Sequence, residues 1–202
     1  RLGLRYSLND RWAIHGGFSR MVQYLHRLAG VGISKPDDVW VPSNAVIAPQ
    51  DAWQTGLSLH YSTPQKLDIS LESYFKVMNN LVRFDDTTFS LNPEKDIEEN
   101  LVFGSGIAYG MELLVKKDFG KTGGHFAYTL ARSERSFPAL NLGNSFPFLF
   151  DRRHQISLFV FHRFSKKWEV SAAFLYGSYH PSVAQEEDLA FGHTPNPLNP
   201  EG

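Results

Sequence analysis

Eight histidines are the side chains in this sequence that could most directly hold a metal ion or move a proton. They are His15, His26, His60, His125, His154, His162, His180 and His193. No two stand at the i, i+2 spacing that places two ligands on one face of a strand, or at the i, i+4 spacing that aligns them on a helix. The chain has no cysteine, which excludes a thiol nucleophile, a Cys-ligated zinc and disulfides. We therefore predict no metal and no cofactor.

A second candidate for chemistry is the run Asp151-Arg152-Arg153-His154, which joins an acid, two cations and a titratable ring. Adjacent residues of a strand point to opposite faces, so these four cannot converge on one substrate. We predict a polar entry to a strand in which Asp and Arg pair with neighbours. Nothing resembles a Gly-x-Ser-x-Gly elbow, a phosphate-binding loop or a dinucleotide fingerprint. We therefore predict no catalytic residues and a protein that is not an enzyme.

Aromatic residues in the long connections are the candidate substrate contacts. The predicted binding residues are Trp40, Phe84, Phe89, Phe137 and Phe148. Their rings could stack on a sugar or cover a metal chelate, and the alternative is that they pack on one another and order the loops. The sequence does not decide between these two roles.

Composition excludes several classes of protein. Lys plus Arg total 20 and Asp plus Glu total 21, so the net charge of -1 gives no electrostatic basis for binding nucleic acid. Aromatic residues make up 14% of the chain, more than a disordered protein would carry. No run of about 18 apolar residues exists, so no transmembrane helix is predicted. A transmembrane strand remains possible, because it needs only about 9–11 residues with every second one apolar.

Alternation of apolar and polar residues with a period of two predicts the elements that carry these side chains. From Leu67 to Val77 the odd positions are mostly apolar, and the even positions include Asp68, Glu72 and Lys76. The same pattern predicts eight strands: Leu2–Ser7, Trp12–Tyr24, Trp53–Tyr61, Leu67–Val77, Ile107–Val115, Gly124–Arg132, Gln155–Phe164 and Trp168–Tyr176. The charges on the even positions would line a water-filled lumen or an ordinary wetted sheet surface, and the pattern is the same for both.

Short and long connections alternate along the chain. The short ones are Leu8–Arg11, Ser62–Lys66, Asp118–Gly123 and Ser165–Lys167, and the long ones are about Leu25–Gln50, Arg83–Phe103 and Ser133–Asp151. Aromatic residues flank the short turns: Tyr6, Trp12, Tyr61, Phe119, Phe164 and Trp168. Tight turns on one side, long loops on the other and aromatic rings at the border are typical of an outer-membrane β-barrel. We predict an all-β, antiparallel transmembrane barrel segment with periplasmic turns and extracellular loops.

Several segments, in this order, resemble the barrel region of TonB-dependent outer-membrane receptors, especially those of Bacteroidetes-type bacteria. They are Leu4–Trp12, Phe18–Leu25, Ala48–Gln50, Leu71–Leu81, Gly104–Leu113 and Phe146–His154. Leu71–Leu81 is similar to a strand and loop that end in "YYK-MNNL" in these receptors. Gly104–Leu113 is similar to their "G-G-x-A-Y-G-x-E-x" strand opening, and Phe146–His154 to their "P-x-x-x-D-R-R-H" entry to a late strand.

The resemblance implies that residues 1–202 are part of a single receptor-like barrel domain of the bacterial outer membrane. Such receptors have 22 strands around an N-terminal plug, so the plug and the C-terminal strands would lie outside this sequence. They import an iron chelate, cobalamin, an oligosaccharide or a peptide. The implied partners are the outer-membrane lipid, the TonB complex through the N-terminal region, the nutrient and a surface lipoprotein. The alternatives are a small outer-membrane barrel enzyme and a soluble β-sandwich binding module.

Overall fold

The computed structural model describes residues 1–28, 39–84, 97–118 and 120–178, and their architecture is all-β. The strands are β1 Leu2–Ser7, β2 Trp12–Gln23, β3 Leu25–Leu28, β4 Val39–Pro42, β5 Gln50–Ser62, β6 Leu67–Phe84, β7 Leu101–Lys117, β8 Thr122–Ser136, β9 Phe146–Pro147, β10 His154–Arg163 and β11 Glu169–Gly177. Short 3-10 turns span Ile97–Asn100 and Asn141–Gly143. Each of the eight strands predicted from alternation is confirmed.

The long strands form one antiparallel sheet in the order β1-β2-β5-β6-β7-β8-β10-β11. The two-residue strand β9 pairs with the end of β8, and β3 pairs with β4 in a separate hairpin. Every neighbour in the main order is the next long strand along the chain. Within the described residues the sheet is open, because β1 and β11 have no pairing with each other, so the predicted closure into a barrel is not shown.

The alternation of short and long connections is confirmed, and each kind lies at its own end of the sheet. Turn chemistry explains the short ones. Between β1 and β2, the Asn9 side-chain oxygen accepts hydrogen bonds from the backbone N–H groups of Arg11 and Trp12 at 2.9 and 3.0 Å. We call the end of the strands where the short connections lie the short-turn end, and the opposite end the long-loop end. Phe119, one of the aromatics predicted to flank a turn, lies outside the described residues.

Strand β6 is longer than alternation predicts, because an irregularity interrupts the alternation of apolar and polar residues within it. The strand continues past Val77 to Phe84, and its register with β7 shifts between Met78 and Leu81. Asn80 has a φ of 56° and donates a side-chain hydrogen bond to the carbonyl of Pro49 at 2.9 Å. An extra residue in a strand reverses which positions face each side, so the period-two pattern breaks there although pairing continues.

Opposed residues of antiparallel strands share a face, so the register sorts the side chains into two surfaces. One row across all eight strands is Tyr6, Ile14, Leu59, Leu71, Leu113, Tyr128, Ile156 and Tyr176. The adjacent row, on the other side, is Arg5, His15, Ser58, Glu72, Glu112, Thr129, Gln155 and Gly177. We call these sides the apolar face and the polar face.

Buried residues gather at the long-loop end, in one cluster on each face. The polar-face cluster consists of Leu81, Val102, Phe137, Leu140 and Phe146, and the apolar-face cluster of Leu28, Ile47, Val82 and Leu101. The loop after β8 covers the first cluster. Residues of the hairpin β3–β4 and its following loop cover the second. The conventional core of the described chain therefore lies beyond the middle of the strands, where the long connections fold back on the sheet.

Candidate functional site

The middle of the apolar face carries large hydrophobic side chains that no part of the described structure covers. Leu57, Phe75 and Met111 are 58%, 46% and 48% exposed, although they lie on central strands of the sheet. Contiguous exposed apolar patches larger than a few hundred Å² usually mark a membrane or protein contact. The described structure therefore leaves a broad hydrophobic area of this face uncovered.

Aromatic rings border this face at both ends. Near the short turns, the rings of Trp12 and Tyr61 lie 4.3 Å apart, and nearer the loops Phe18 and Trp53 lie 5.4 Å apart. Trp53 to Tyr61 spans nine residues of β5. A tilted strand needs about 9–11 residues to cross the hydrocarbon core of a bilayer. On β2 and β5 the two aromatic borders therefore lie about as far apart as the length of such a strand.

Ion pairs limit the apolar face at the long-loop end. Arg20 lies directly opposite Trp53, and Asp51 lies one row beyond it on the same face, with Nε and Oδ1 2.8 Å apart. The Trp53 indole N–H donates to the other Asp51 oxygen at 2.9 Å. Arg132 and Glu134 form a second pair on the same face of β8. Indole rings whose polar N–H reaches a charged group are favoured where an apolar layer ends and water begins.

The polar face has a concavity of about 410 Å³ in its middle. Its polar lining comes from four neighbouring strands: His15 on β2, Gln54 and Ser58 on β5, Glu72 and Tyr74 on β6, and Glu112 on β7. Gly17 of β2 and Gly56 of β5 are register partners in the next row on the same face. Because neither residue has a side chain, the bottom of the concavity is open there. All of the charges predicted to share one side of their strands do so: Asp68, Glu72, Lys76, Glu112, Lys116 and Glu169.

Two histidines meet beside this concavity, a feature that the sequence spacing did not predict. The rings of His15 and His60 lie 4.6 Å apart, and a His60 nitrogen lies 3.2 Å from the Ser58 hydroxyl. The His15 Nε2 atom is shut off from solvent and has no hydrogen-bond partner in the described part of the chain. The register of β2 with β5 brings them together across 45 positions of sequence, and alternation alone carries no information on register.

Metal binding requires several ligands at one point. Among the residues that the structure describes, no group of three or more His, Asp and Glu side chains could hold a metal ion.

The predicted substrate contacts lie on different sides of the sheet. Trp40 is exposed on the hairpin, and Phe84 packs against the apolar-face cluster. Phe137 is fully buried in the polar-face cluster, so its ring orders the loop and is not open to a ligand. The ring centre of Phe148 lies 3.5 Å from the guanidinium carbon of Arg135. Phe89 falls outside the described residues. Ligand contact by the exposed rings stays a prediction.

The segment from Asp151 to His154 forms the polar strand entry that was predicted. The Asp151 side chain is buried and accepts a hydrogen bond from the backbone N–H of Ser133 at 2.7 Å, and its second oxygen lies 3.7 Å from Arg153. His154 pairs with the Tyr128 hydroxyl at 2.8 Å. These bonds fasten the end of the loop to β8.

No helix in the described ranges is long and apolar enough to span a membrane. A comparison of the chain with models of known protein families, with curated proteins and with solved structures finds no match.

Proposed function

We propose that this chain forms part of the wall of a transmembrane β-barrel in a bacterial outer membrane, with the apolar face against lipid and the polar face toward the lumen. The observation that carries the proposal is the uncovered apolar face, which extends across all eight long strands. In a bilayer only closed sheets satisfy every backbone group, so β1 and β11 would each need a further strand beside them.

The opposite characters of the two faces support lipid as the covering partner. Lipid requires an apolar band with aromatic residues at both borders. The Trp12–Tyr61 and Phe18–Trp53 contacts mark such borders. The Arg20–Asp51 ion pair marks the outer limit of the band.

Within this class we propose a TonB-dependent receptor that imports a nutrient such as an iron chelate, cobalamin, an oligosaccharide or a peptide. Support comes from the ordered motifs of the sequence and from the alternation of short turns with long loops. The segment would supply wall, lumen lining and extracellular loops. Energy would reach it through TonB and the N-terminal plug that such receptors carry. If this finer assignment is correct, we expect uptake of the nutrient to stop when TonB is deleted.

Spin labelling tests the orientation of the two faces directly, because the natural chain contains no cysteine. Single cysteines replace the residues of β6 from Leu67 to Val77 in turn, and each is labelled with a nitroxide in the purified protein returned to liposomes. We expect collisions with oxygen, which concentrates in lipid, to be frequent at odd positions such as Leu71 and Phe75. Collisions with a water-soluble nickel complex should be frequent at even positions such as Ser70 and Glu72.

The matched pair is Leu71→Cys and Ser70→Cys, which are adjacent in sequence and lie on opposite faces. A soluble β-sandwich would bury the Leu71 label in protein, so that neither reagent reached it, and the chain would stay in solution without detergent. That result would contradict the membrane proposal and favour the binding module.

A further inference from the structure

Positive charge is concentrated at the short-turn end of the sheet. The four short turns, taken with the two strand residues on either side of each, contain eight lysines and arginines and four carboxylates. The cations are Arg11, Lys66, Lys116, Lys117, Lys121, Arg163, Lys166 and Lys167, and the acids are Asp10, Asp68, Asp118 and Glu169. The chain as a whole has a net charge of -1, so its charge is distributed unevenly along the strands.

Ion pairs use part of this charge and leave a cluster of lysines. Lys116 lies 2.5 Å from Asp118, and Arg163 lies 2.5 Å from Glu169. Four exposed lysines of the same two hairpins have no ion pair with any described residue: Lys117, Lys121, Lys166 and Lys167. We call these four the basic patch.

The two turns that carry the basic patch are neighbours in the sheet. Strand β8 pairs with β10, and the backbone N–H of Arg163 donates to the carbonyl of Lys121 at 2.7 Å. Beside this bond, the Thr122 hydroxyl lies 2.6 Å from the Nδ1 atom of His162. The turn between β7 and β8 is therefore fixed against the end of β10, which places the four lysines on one part of the short-turn end.

Exposed aromatic rings accompany the basic patch on the apolar face. Phe164 and Trp168 are 64% and 72% exposed, and the Phe164 N–H donates to the Trp168 carbonyl at 3.1 Å. Trp168 lies two residues before Val170 of the apolar face, so it continues that face beyond the end of β11. Lys117 lies on the same face, because its register partner is Leu67. Aromatic rings with lysines directly beside them are typical of surfaces that lie in the headgroup layer of a membrane.

We propose that the basic patch binds the headgroups of anionic phospholipids in the leaflet that the short turns reach. The inference rests on the proposed lipid contact of the apolar face and specifies the class of lipid at one part of its border. Lysines at the surface of a bilayer attract anionic headgroups, and the exposed rings of Phe164 and Trp168 continue the face that the lipid chains would cover. This continuity favours lipid over an acidic protein as the partner.

Fluorescence quenching tests the proposal with the purified protein in phosphatidylcholine liposomes. A bimane fluorophore is attached at Ser165→Cys, between Phe164 and the lysines of the last turn, because the natural chain contains no cysteine. A small fraction of the lipid is replaced by phosphatidylglycerol or by phosphatidylcholine that carries a nitroxide near its headgroup. We expect the labelled phosphatidylglycerol to quench about threefold more strongly at low salt, and both lipids to quench equally at high salt, since salt screens the attraction.

Two pairs of substitutions remove charge from the basic patch. Lys166→Gln with Lys167→Gln, and separately Lys117→Gln with Lys121→Gln, should each lower the preference for phosphatidylglycerol to about half. Unchanged quenching by phosphatidylcholine shows that these variants fold and insert.

Arg5→Gln with Lys76→Gln is the matched control, because it removes two positive charges from the polar face and should leave the preference unchanged. An equal loss of preference in this control would overturn the proposal, since the attraction would then follow net charge. Equal quenching by the two lipids at low salt would also overturn it, would leave the lipid contact of the apolar face in place and would favour an acidic protein as the partner. Absence of quenching by either lipid would contradict the proposed membrane function as well.

Discussion

The long-loop end of the sheet and the middle of its strands are stabilised in different ways. At the long-loop end, the polar-face and apolar-face clusters enclose hydrophobic side chains from both sides. In the middle of the strands, the described structure covers neither face, and Leu57 and Phe75 stay exposed. The first region is held by ordinary packing. The second has backbone pairing but needs an apolar surrounding to bury its side chains.

This difference shows why an uncovered apolar face is not a defect of the fold. Where the long loops fold back on the sheet, they cover hydrophobic residues and form a buried core. In the middle of the strands the chain leaves the apolar face bare, and this is the band that the proposed lipid contact would cover. Substitutions at the two regions should therefore have unequal effects, and the largest are expected where a side chain is fully enclosed.

Phe137→Ala should have the largest effect, because the ring is fully enclosed in the polar-face cluster. Loss of a buried phenylalanine leaves a cavity and costs about 3–5 kcal/mol. Unfolding by guanidinium, followed by circular dichroism in detergent, measures the loss. Phe75→Ala is the control from the bare band, where no cavity forms in the protein. Equal losses in the two variants would contradict the distinction between the regions.

Gly104→Ala should have a smaller effect at the same end. A Cβ at this position would lie 2.4 Å from the carbonyl oxygen of Ser136 and 2.5 Å from the ring of Phe137. The ring of Phe137 and the backbone of Ser136 must both move, which costs about 1–3 kcal/mol of the free energy of unfolding. Gly16→Ala is the matched control, because a Cβ there meets nothing within 4 Å. If both variants unfold at the same denaturant concentration, the loop after β8 does not rest on β7 as described.

Acidification should loosen the cover of the apolar-face cluster. His26 of β3 is fully buried, its Nε2 lies 2.9 Å from the Ser43 hydroxyl, and burial lowers its pKa below the ordinary value of 6.5. The unfolded state then binds the proton more readily, so the contribution of His26 to stability is present above pH 6.5 and is lost as the pH falls through and below it. The effect is confined to one hairpin and is the smallest of the three.

Hydrogen exchange of the β3 and β4 amides between pH 7.5 and pH 5, corrected for the intrinsic rate, measures this opening. The protection factors should fall with acid in the natural protein and stay level in His26→Gln, which cannot titrate. Protection that falls equally in both proteins would place the sensitivity at another group.

The sequence predicted much of the framework, for reasons visible in particular residues. Leu67 to Val77 alternates without interruption, and it forms the strand that was expected. Prediction failed at Asn80, where a positive φ and a register shift reverse the faces, so that the predicted strand ended at Val77 although β6 continues to Phe84. Among the candidate contacts, the sequence could not separate Phe137, which is enclosed, from Trp40, which is exposed. Loop aromatics have no periodicity that distinguishes packing from binding.

By itself the sequence determined the all-β class, the eight long strands, the alternation of connections and the side of each strand that carries charge. These depend on local periodicity and turn chemistry, which every short segment carries within itself. Only the tertiary structure decided which side chains meet: His15 with His60, Glu72 opposite Glu112, and Phe137 on Gly104. Such contacts depend on strand register and on where the loops fold back, and these follow from interactions between segments far apart in the chain.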